Sequence, residues 1–335
     1  MNRNDIALLN KKLGTNFPLD ATIGGAEMAM DADYVGGTAI TAPNAGIPNF
    51  LTTWVDPSII DVLVAPMRMA EIFTETKKGD RTTSSVAIPV RELNGETSAY
   101  GDFNDNGVSG SNVNWVHRQP FAYQTHVKIG EIAQEMAAAA RYDLVSSEIE
   151  GAILTLNKFQ NLSYIYGIDG LQNYGTLNDP SLLPASVGIN WATATAEQLY
   201  DAVKNLFAQL VRQTKGLVKS RDAMTLVLPP QLEAYLHATN QYGLNAWDLI
   251  AKNFPNLKVE SVPEYSTAAG ENIQLILDSY LGRKTVELAF PDKLRVHAVE
   301  VKTSGWLQKR SQSTLGSIVY YPVFIASQLA SDIPA

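Results

Sequence analysis

Two stretches of alternating apolar and polar residues flank a polar middle in residues 74–127. The outgoing stretch sets Val86, Ile88 and Val90 against Ala87, Pro89 and Arg91. The returning one puts Trp115, His117, Gln119, Phe121, Tyr123, Thr125 and Val127 on one side. A period of two is the mark of a β-strand. Between the two runs NGETSAYGDFNDNGVSGSNVN, with four glycines, five asparagines, three acids and no base. The pattern predicts a long β-hairpin of about 20 residues each way, reaching ~50–60 Å at ~3.3 Å per residue. Pro89 and Pro120 suit strands with a free edge. A hairpin of this kind is not stable alone in water, so another surface is expected to hold it.

The period then changes to 3.6. Over residues 131–159, Ile132, Met136, Ala140, Leu144, Val145, Ile149, Ala152, Leu156 and Phe159 recur at helical spacing with no proline. One uninterrupted helix of ~43 Å is expected. Residues 167–190 read as loop. Thr195 with Gln198 three positions on forms a capping box, ahead of the stripe Leu199, Val203, Leu206 and Leu210. Short elements follow: a strand at 225–228, helices from about Gln231 and over 246–253, and strands at 258–262 and 272–278. The C-terminal part is strand-rich, with pieces near 285–289, 294–302, 306–310 and 317–325. Mixed order of this kind after an all-β excursion reads as α+β.

Residues 21–49 carry no sustained period and are broken by glycine pairs and prolines, so an extended arm over residues 1–55 is expected. Asp56-Pro57 is a strong helix start, because a proline at the first helical position loses no hydrogen bond.

Composition adds limits. In 335 residues the hydrophobic share of 45% is ample for a packed interior. Charged residues make up only 18%, which leaves much neutral surface of the kind that another subunit covers. The net charge of −8 argues against binding nucleic acid through global charge. With no cysteine, disulfides, thiolate metal sites and thiol nucleophiles are excluded. No apolar window of membrane-span length and no signal-peptide pattern is present, so a soluble protein made in a cytoplasm is expected.

Candidate chemistry is sparse. Asp102, Asn104, Asp105, Asn106 and Gly107 resemble the start of a calcium loop, yet the twelfth position is Val113 where a bidentate glutamate belongs, so a tight turn is the better reading. The four histidines, His117, His126, His237 and His297, form no motif; His117 and His126 fall on opposite strand faces by parity. Trp115, Phe121 and Tyr123 suit core or subunit contact better than a stacking platform for a ligand. Arg212, Lys215, Lys219 and Arg221 cluster after the second helix, where cations complement the helix dipole. No phosphate loop, dinucleotide fingerprint or hydrolase motif is present. No catalytic residue, cofactor or metal is expected.

The order of arm, short helix, protruding hairpin, long helix, α/β insertion and returning strands resembles the major capsid protein of tailed bacteriophages, the Hong Kong 97-like fold. The stretches that carry the resemblance are VDPSIIDVLVAPMRMAEIF, IGEIAQEMAAAARYDLVSSEIEGAI and EVKTSGWLQKRSQSTLGSIVYYPVFIASQL. It implies an N-terminal arm (1–55), a helix leading into the peripheral domain (56–73), an extended loop (74–127), a peripheral domain with its spine helix (128–166), an axial domain (167–290) and peripheral return strands (291–335). It further implies a non-enzymatic subunit that self-assembles through pentamers and hexamers into an icosahedral shell around double-stranded DNA, without sequence-specific binding and without a membrane. The virion capsid would be assembled in the bacterial host cytoplasm, with portal and scaffold or decoration proteins as partners. The expected inter-subunit contacts are Glu96, Tyr100, Asp102, Phe103, Asp105, Trp115, Arg118, Phe121 and Tyr123, with Arg68, Arg81 and Arg310 receiving the tip acids. Two departures from the family stand out. No lysine lies between Lys78 and Lys128, so the covalent cross-link of some members is not expected. The arm is also too short and irregular to hold a cleaved scaffolding segment. An encapsulin-like compartment and a soluble α+β enzyme are the alternatives.

Overall fold

The computed structural model describes residues 66–239, 243 and 245–330. The arm and the expected helix start at Asp56-Pro57 lie outside these residues. The described chain opens with a short helix, α1 (Met69–Ile72), and a strand, β1 (Glu75–Lys77). The finger strands β2 (Val86–Gly95) and β3 (Ser109–Arg118) come next, then β4 (Phe121–Gly130), α2 (Glu131–Ala139) and α3 (Leu144–Tyr166). The middle holds β5 (Ser186–Val187), α4 (Ala196–Gln213), β6 (Met224–Leu228), α5 (Pro230–Leu236), α6 (Ala246–Asn253), β7 (Leu257–Ser261), β8 (Ser266–Thr267) and β9 (Gly270–Leu277). The last part holds β10 (Ser279–Tyr280), β11 (Arg283–Lys284), β12 (Val286–Phe290), β13 (Arg295–Lys302), β14 (Gly305–Thr314), β15 (Gly316–Val319) and β16 (Ile325–Ala330).

The largest sheet runs β5-β16-β9-β6-β7, with β8 beside β9. Its inner strand β6 is buried throughout, because both faces are covered. Met224, Leu226 and Leu228 face the core built by α4 and α6, while Val227 faces Tyr164, Val262 and Tyr265. The capping box forms as the sequence predicts: Thr195 Oγ1 accepts from the Gln198 N–H, and the Gln198 side chain accepts from the Thr195 N–H. Leu199, Val203, Leu206 and Leu210 are the buried stripe of α4.

A second sheet, β13-β14-β4, packs on α3 through Val127, Ile129 and Ala152. A third, β1-β12-β15, packs on the C-terminal end of α3 through Tyr164, Ile165, Val286 and Leu288. One helix thus underlies two sheets. Among the described residues no helix is long and apolar enough to cross a membrane.

Three expectations are corrected. The single helix over 131–159 is two helices: Arg141 adopts a left-handed conformation (φ 57°), and Asp143 caps α3 by accepting from the Ser146 N–H at 3.1 Å. The Ser146 hydroxyl, which donates to Asp143 Oδ2 at 2.7 Å, and then the Ser146 N–H hold the Asp143 carboxyl below its ordinary value. The helix also runs beyond Phe159 and stops at Gly167 (φ 67°), where a Cβ would meet the Asn173 carbonyl oxygen at 2.3 Å. Second, the returning arm is two strands in two sheets. β3 pairs with β2 from Val86↔Arg118 to Gly95↔Ser109, whereas β4 pairs with β14. Pro120 sits at the junction, so His117 and His126 belong to different sheets instead of opposite faces of one strand. Third, the strand expected over 317–325 splits around a 3-10 turn, Pro322–Phe324. The large sheet draws strands from both sides of residue 290, since β16 pairs with β9. Conversely, β12 joins β1 and β15.

Candidate functional site

The feature with no counterpart in an ordinary domain is the finger formed by β2 and β3. Among the described residues its strands pair only with each other, and each spans ten residues, a reach of ~33 Å at ~3.3 Å per residue. This is shorter than expected because 74–85 and 121–127 belong elsewhere. At the tip, Tyr100 is 95% exposed and Phe103 101%. The tip is an ordered turn: the Asn104 N–H donates to the Gly101 carbonyl at 2.9 Å, and the Asn106 N–H to Asn104 Oδ1 at 3.0 Å. Asp102 Oδ1 accepts from the Tyr100 hydroxyl at 3.1 Å. Among the described residues no cluster of three or more His, Asp or Glu could hold a metal ion.

The root is fixed by a buried ion pair. Arg118, the last residue of β3, places its guanidinium 2.8 Å from Asp179 Oδ2, with side-chain exposures of 8% and 1%. The same guanidinium lies 4.7 Å from the Tyr174 ring centre. Asp179 Oδ1 accepts in addition from the Ser181 N–H and hydroxyl, at 2.9 and 2.6 Å. On the other strand Val86 and Ile88 pack against Ala289, Leu315, Ile318 and Tyr320. Beside them Lys78 bonds both Tyr320 and Glu287, the latter at 2.9 Å. Burial pulls the Lys78 ammonium down, but its bonds to Tyr320 and Glu287 outweigh this and leave it raised. Burial pushes Glu287 up, and the bonds from Lys78, Tyr320 and Thr76 leave it lowered.

The structure separates the residues singled out from sequence. Glu96, Tyr100, Asp102, Phe103 and Asp105 all lie exposed at the tip, and Trp115 is exposed on β3. Arg118 and Arg310, expected at inter-subunit contacts, are buried within their own chain. Arg118 serves Asp179, and Arg310 donates to Gln308 Oε1 at 3.2 Å. Phe121 and Tyr123 pack on Phe159 with ring centres 6.1 and 4.5 Å apart, so the contact they make here is internal. Burial, then the Glu75 charge, pushes the Tyr123 hydroxyl well up. Arg68 reaches Ser261 Oγ at 3.4 Å, and Arg81 is exposed. The histidines are scattered: His117 meets Ser85, His297 meets Ser311, and His237 stacks on Trp247. In the basic cluster, Arg212 caps its own helix at the Ala208 carbonyl.

Sequence reasoning missed Asp179 and Tyr174, because they lie in a loop about sixty residues from Arg118 with no motif linking them. It also missed an open groove of about 490 Å³ lined by Val299, Val301 and Trp306 beside α2. The signal was available there: with the helix broken at residue 140, Ile132 and Met136 have no core to face and are exposed.

Comparison with known proteins gives these surfaces a context. The profile of the Pa193 gp26 major capsid protein family matches residues 38–330. No curated protein sequence matches. Among solved structures, the capsid of Myoviridae phage XM1 is similar at 16% identity and a TM-score of 0.73, covering 88% of this chain and 99% of that one. The capsid of a native GTA particle is similar at 13% and 0.64, covering 88% and 100%. The SrpI encapsulin of Synechococcus elongatus PCC 7942 is similar at 11% and 0.55, covering 84% and 93%. At such identities the likeness is one of fold, the α+β Hong Kong 97-like fold. A profile spanning most of the sequence reaches further than fold: the chain belongs to the Pa193 gp26 major capsid protein family.

Proposed function

We propose that this chain assembles through pentamers and hexamers into an icosahedral phage head enclosing double-stranded DNA, inside the bacterial host cytoplasm, in a purely structural role. The observation that carries the reading is the finger tip, with Tyr100 and Phe103 exposed on a hairpin that has no third strand among the described residues. In the assembled shell the finger rests on a neighbouring subunit and the arm (1–55) drapes over adjacent ones. The large β5-to-β7 sheet with α4–α6 is the axial unit, meeting its copies at the centre of each capsomer. The sheet β13-β14-β4 with α3 is the peripheral unit. Portal and scaffold or decoration proteins complete the head, and DNA is enclosed without sequence-specific contacts, in keeping with the net charge of −8.

Electron microscopy of the purified protein, followed by nuclease treatment of the particles, tests this. Closed shells of megadalton mass protecting double-stranded DNA from a producing host are expected. A monomer or small oligomer under every assembly condition would overturn the reading. The likeness to the SrpI encapsulin supports a second reading, a protein compartment; closed shells that hold protein cargo and no protected DNA would favour it.

A further inference from the structure

Only two asparagines in the sequence precede a glycine, in Asn94-Gly95 and Asn106-Gly107, and both pairs lie in the finger. All four residues are exposed. Such a pair is chemically labile, because no side chain shields the following backbone nitrogen from the asparagine's own carboxamide carbon. The two pairs differ in what holds them. Asn94 and Gly95 end β2 and are laddered to Gly110 and Ser109, so an extended backbone keeps the Gly95 nitrogen turned away from Asn94 Cγ. Asn106 and Gly107 belong to no strand and sit in the tip turn. Among the described residues the Asn106 carboxamide makes no hydrogen bond and the Gly107 N–H has no acceptor. Gly107 adopts φ 104°, and a Cβ there would meet the Ser98 backbone nitrogen and Oγ at 3.2 Å. The turn thus requires glycine, and the missing side chain leaves the nitrogen open.

The turn also supplies an activating group. The Ser98 hydroxyl donates to the Asn106 carbonyl oxygen, which belongs to the same peptide unit as the Gly107 nitrogen. When that nitrogen gives up its proton, the negative charge is shared with this oxygen, so a hydroxyl already bonded there stabilises it. Asn104 braces the arrangement: its Nδ2 donates to the Ala99 carbonyl at 2.7 Å, and its Oδ1 accepts from the Asn106 N–H at 3.0 Å. Asp102 and Asp105 oppose the developing charge, but physiological salt screens exposed groups over ~8 Å, whereas Ser98 acts at contact.

We propose that Asn106-Gly107 is a site of self-modification, at which the turn converts the Asn106 amide to an acid with the help of the Ser98 hydroxyl. Hydroxide takes the Gly107 proton, and the nitrogen forms a bond to Asn106 Cγ. The Cγ–Nδ2 bond breaks, and ammonia leaves with a proton from water, which regenerates the hydroxide. Water then opens the cyclic imide at one carbonyl or the other, leaving aspartate or isoaspartate at position 106; nothing is oxidised or reduced. Residues 92–117 hold Glu92, Glu96, Asp102 and Asp105 and no lysine or arginine, so the product adds a fifth carboxylate to an acidic finger. The chemistry needs one subunit only and does not depend on shell formation.

Ageing the folded full-length protein in buffer, with both sites followed by peptide mapping in a mass spectrometer, tests this. Asn106 is expected to convert about tenfold faster than Asn94, whose ladder must first open. Ser98→Ala is expected to slow Asn106 about tenfold, the worth of one hydrogen bond to a developing charge. Ser98→Thr, which keeps a hydroxyl, is expected to restore the rate. In urea the turn is lost, so the two sites should draw level and Ser98→Ala should have no effect. Equal rates at the two sites in the folded protein, an unchanged or faster Asn106 in Ser98→Ala, or a Ser98 effect that persists in urea overturns the proposal. Shell yield enters none of these readouts, so failure of the assembly reading is a separate result.

Discussion

Removing Arg118 tests how the finger is anchored. Arg118→Met keeps the side-chain length and most of its apolar contact with Tyr174 but strands the Asp179 carboxylate, whose side chain is 1% exposed. Breaking one partner of a buried ion pair costs ~3–5 kcal/mol, because a buried charge is left without compensation. Two bonds from Ser181 still reach Asp179, so the lower end, ~3 kcal/mol, is expected. In a domain of this size that shifts the melting temperature by ~6–12 °C. Arg118→Met/Asp179→Asn removes both charges and should regain much of the loss, since an uncharged buried pair leaves no uncompensated ion. Thermal melts of the unassembled subunit supply the four corners of the cycle. Hydrogen exchange over residues 109–118 shows whether the loss is local to the finger root. A single mutant within ~1 kcal/mol of the parent, or a double mutant as unstable as the sum of the singles, would refute the anchoring argument.

Phe103→Ser should leave subunit stability within ~0.5 kcal/mol, because the side chain is exposed, yet lower shell yield; equal yields by sedimentation would count against a docking role for the tip. Gly167→Ala should destabilise the subunit by ~2–3 kcal/mol in denaturant titration, since φ is 67° and the new Cβ would meet Asn173 at 2.3 Å. The Lys78–Glu287 contact should weaken at both extremes of pH. Glu287 is lowered in the fold, so its contribution is complete above the ordinary carboxylate value and lost as pH falls through the lowered one. Lys78 is raised, so its contribution is complete below the ordinary lysine value and lost as pH climbs through the raised one. Glu287→Gln should therefore flatten the acid limb of a stability–pH curve; an unchanged limb would contradict this.

How much the sequence disclosed depends on the range of the interaction. The capping box at Thr195 and the stripe of α4 are local, and both were legible. The helix break at 140–143 was legible in principle, because Asp143 followed by Ser146 is itself a start signal. It was hidden by apolar residues that keep helical spacing across it, and only tertiary contact separates Ile132 and Met136 from Leu144 and Val145. Pro120 marked a strand boundary rather than an edge, a choice that depends on whether β14 lies alongside. Which sheet takes β16 is decided by pairing with β9 some fifty residues earlier, and no local pattern encodes that. The tip acids and aromatics were visible as residues without core spacing. Arg118 looked the same from sequence, and its partner Asp179 is visible only in three dimensions.

In the proposed shell, the composition of the finger favours docking by side chains over extension of its ladder. A two-stranded ribbon has two open edges, and open edges invite pairing with any other strand. Here Pro89 removes a donor on β2, Arg91 and Glu92 place charges beside it, and the tip is glycine- and asparagine-rich, all of which discourage backbone pairing. What remains for recognition is Tyr100, Phe103, Trp115 and the acids. Burying Tyr100 and Phe103 contributes ~2–3 kcal/mol each, whereas fixing one free subunit on another costs ~4–15 kcal/mol. One finger therefore cannot hold a dimer. In the proposed closed ring every subunit gives one finger and receives one, and the second contact forms without a further loss of translational freedom. The same arithmetic keeps early contacts reversible, so a misplaced subunit can leave before the ring closes. A finger strong enough to hold a pair by itself would trap such errors, and this sequence, with few apolar side chains at the tip and like charges that repel finger from finger, avoids that outcome.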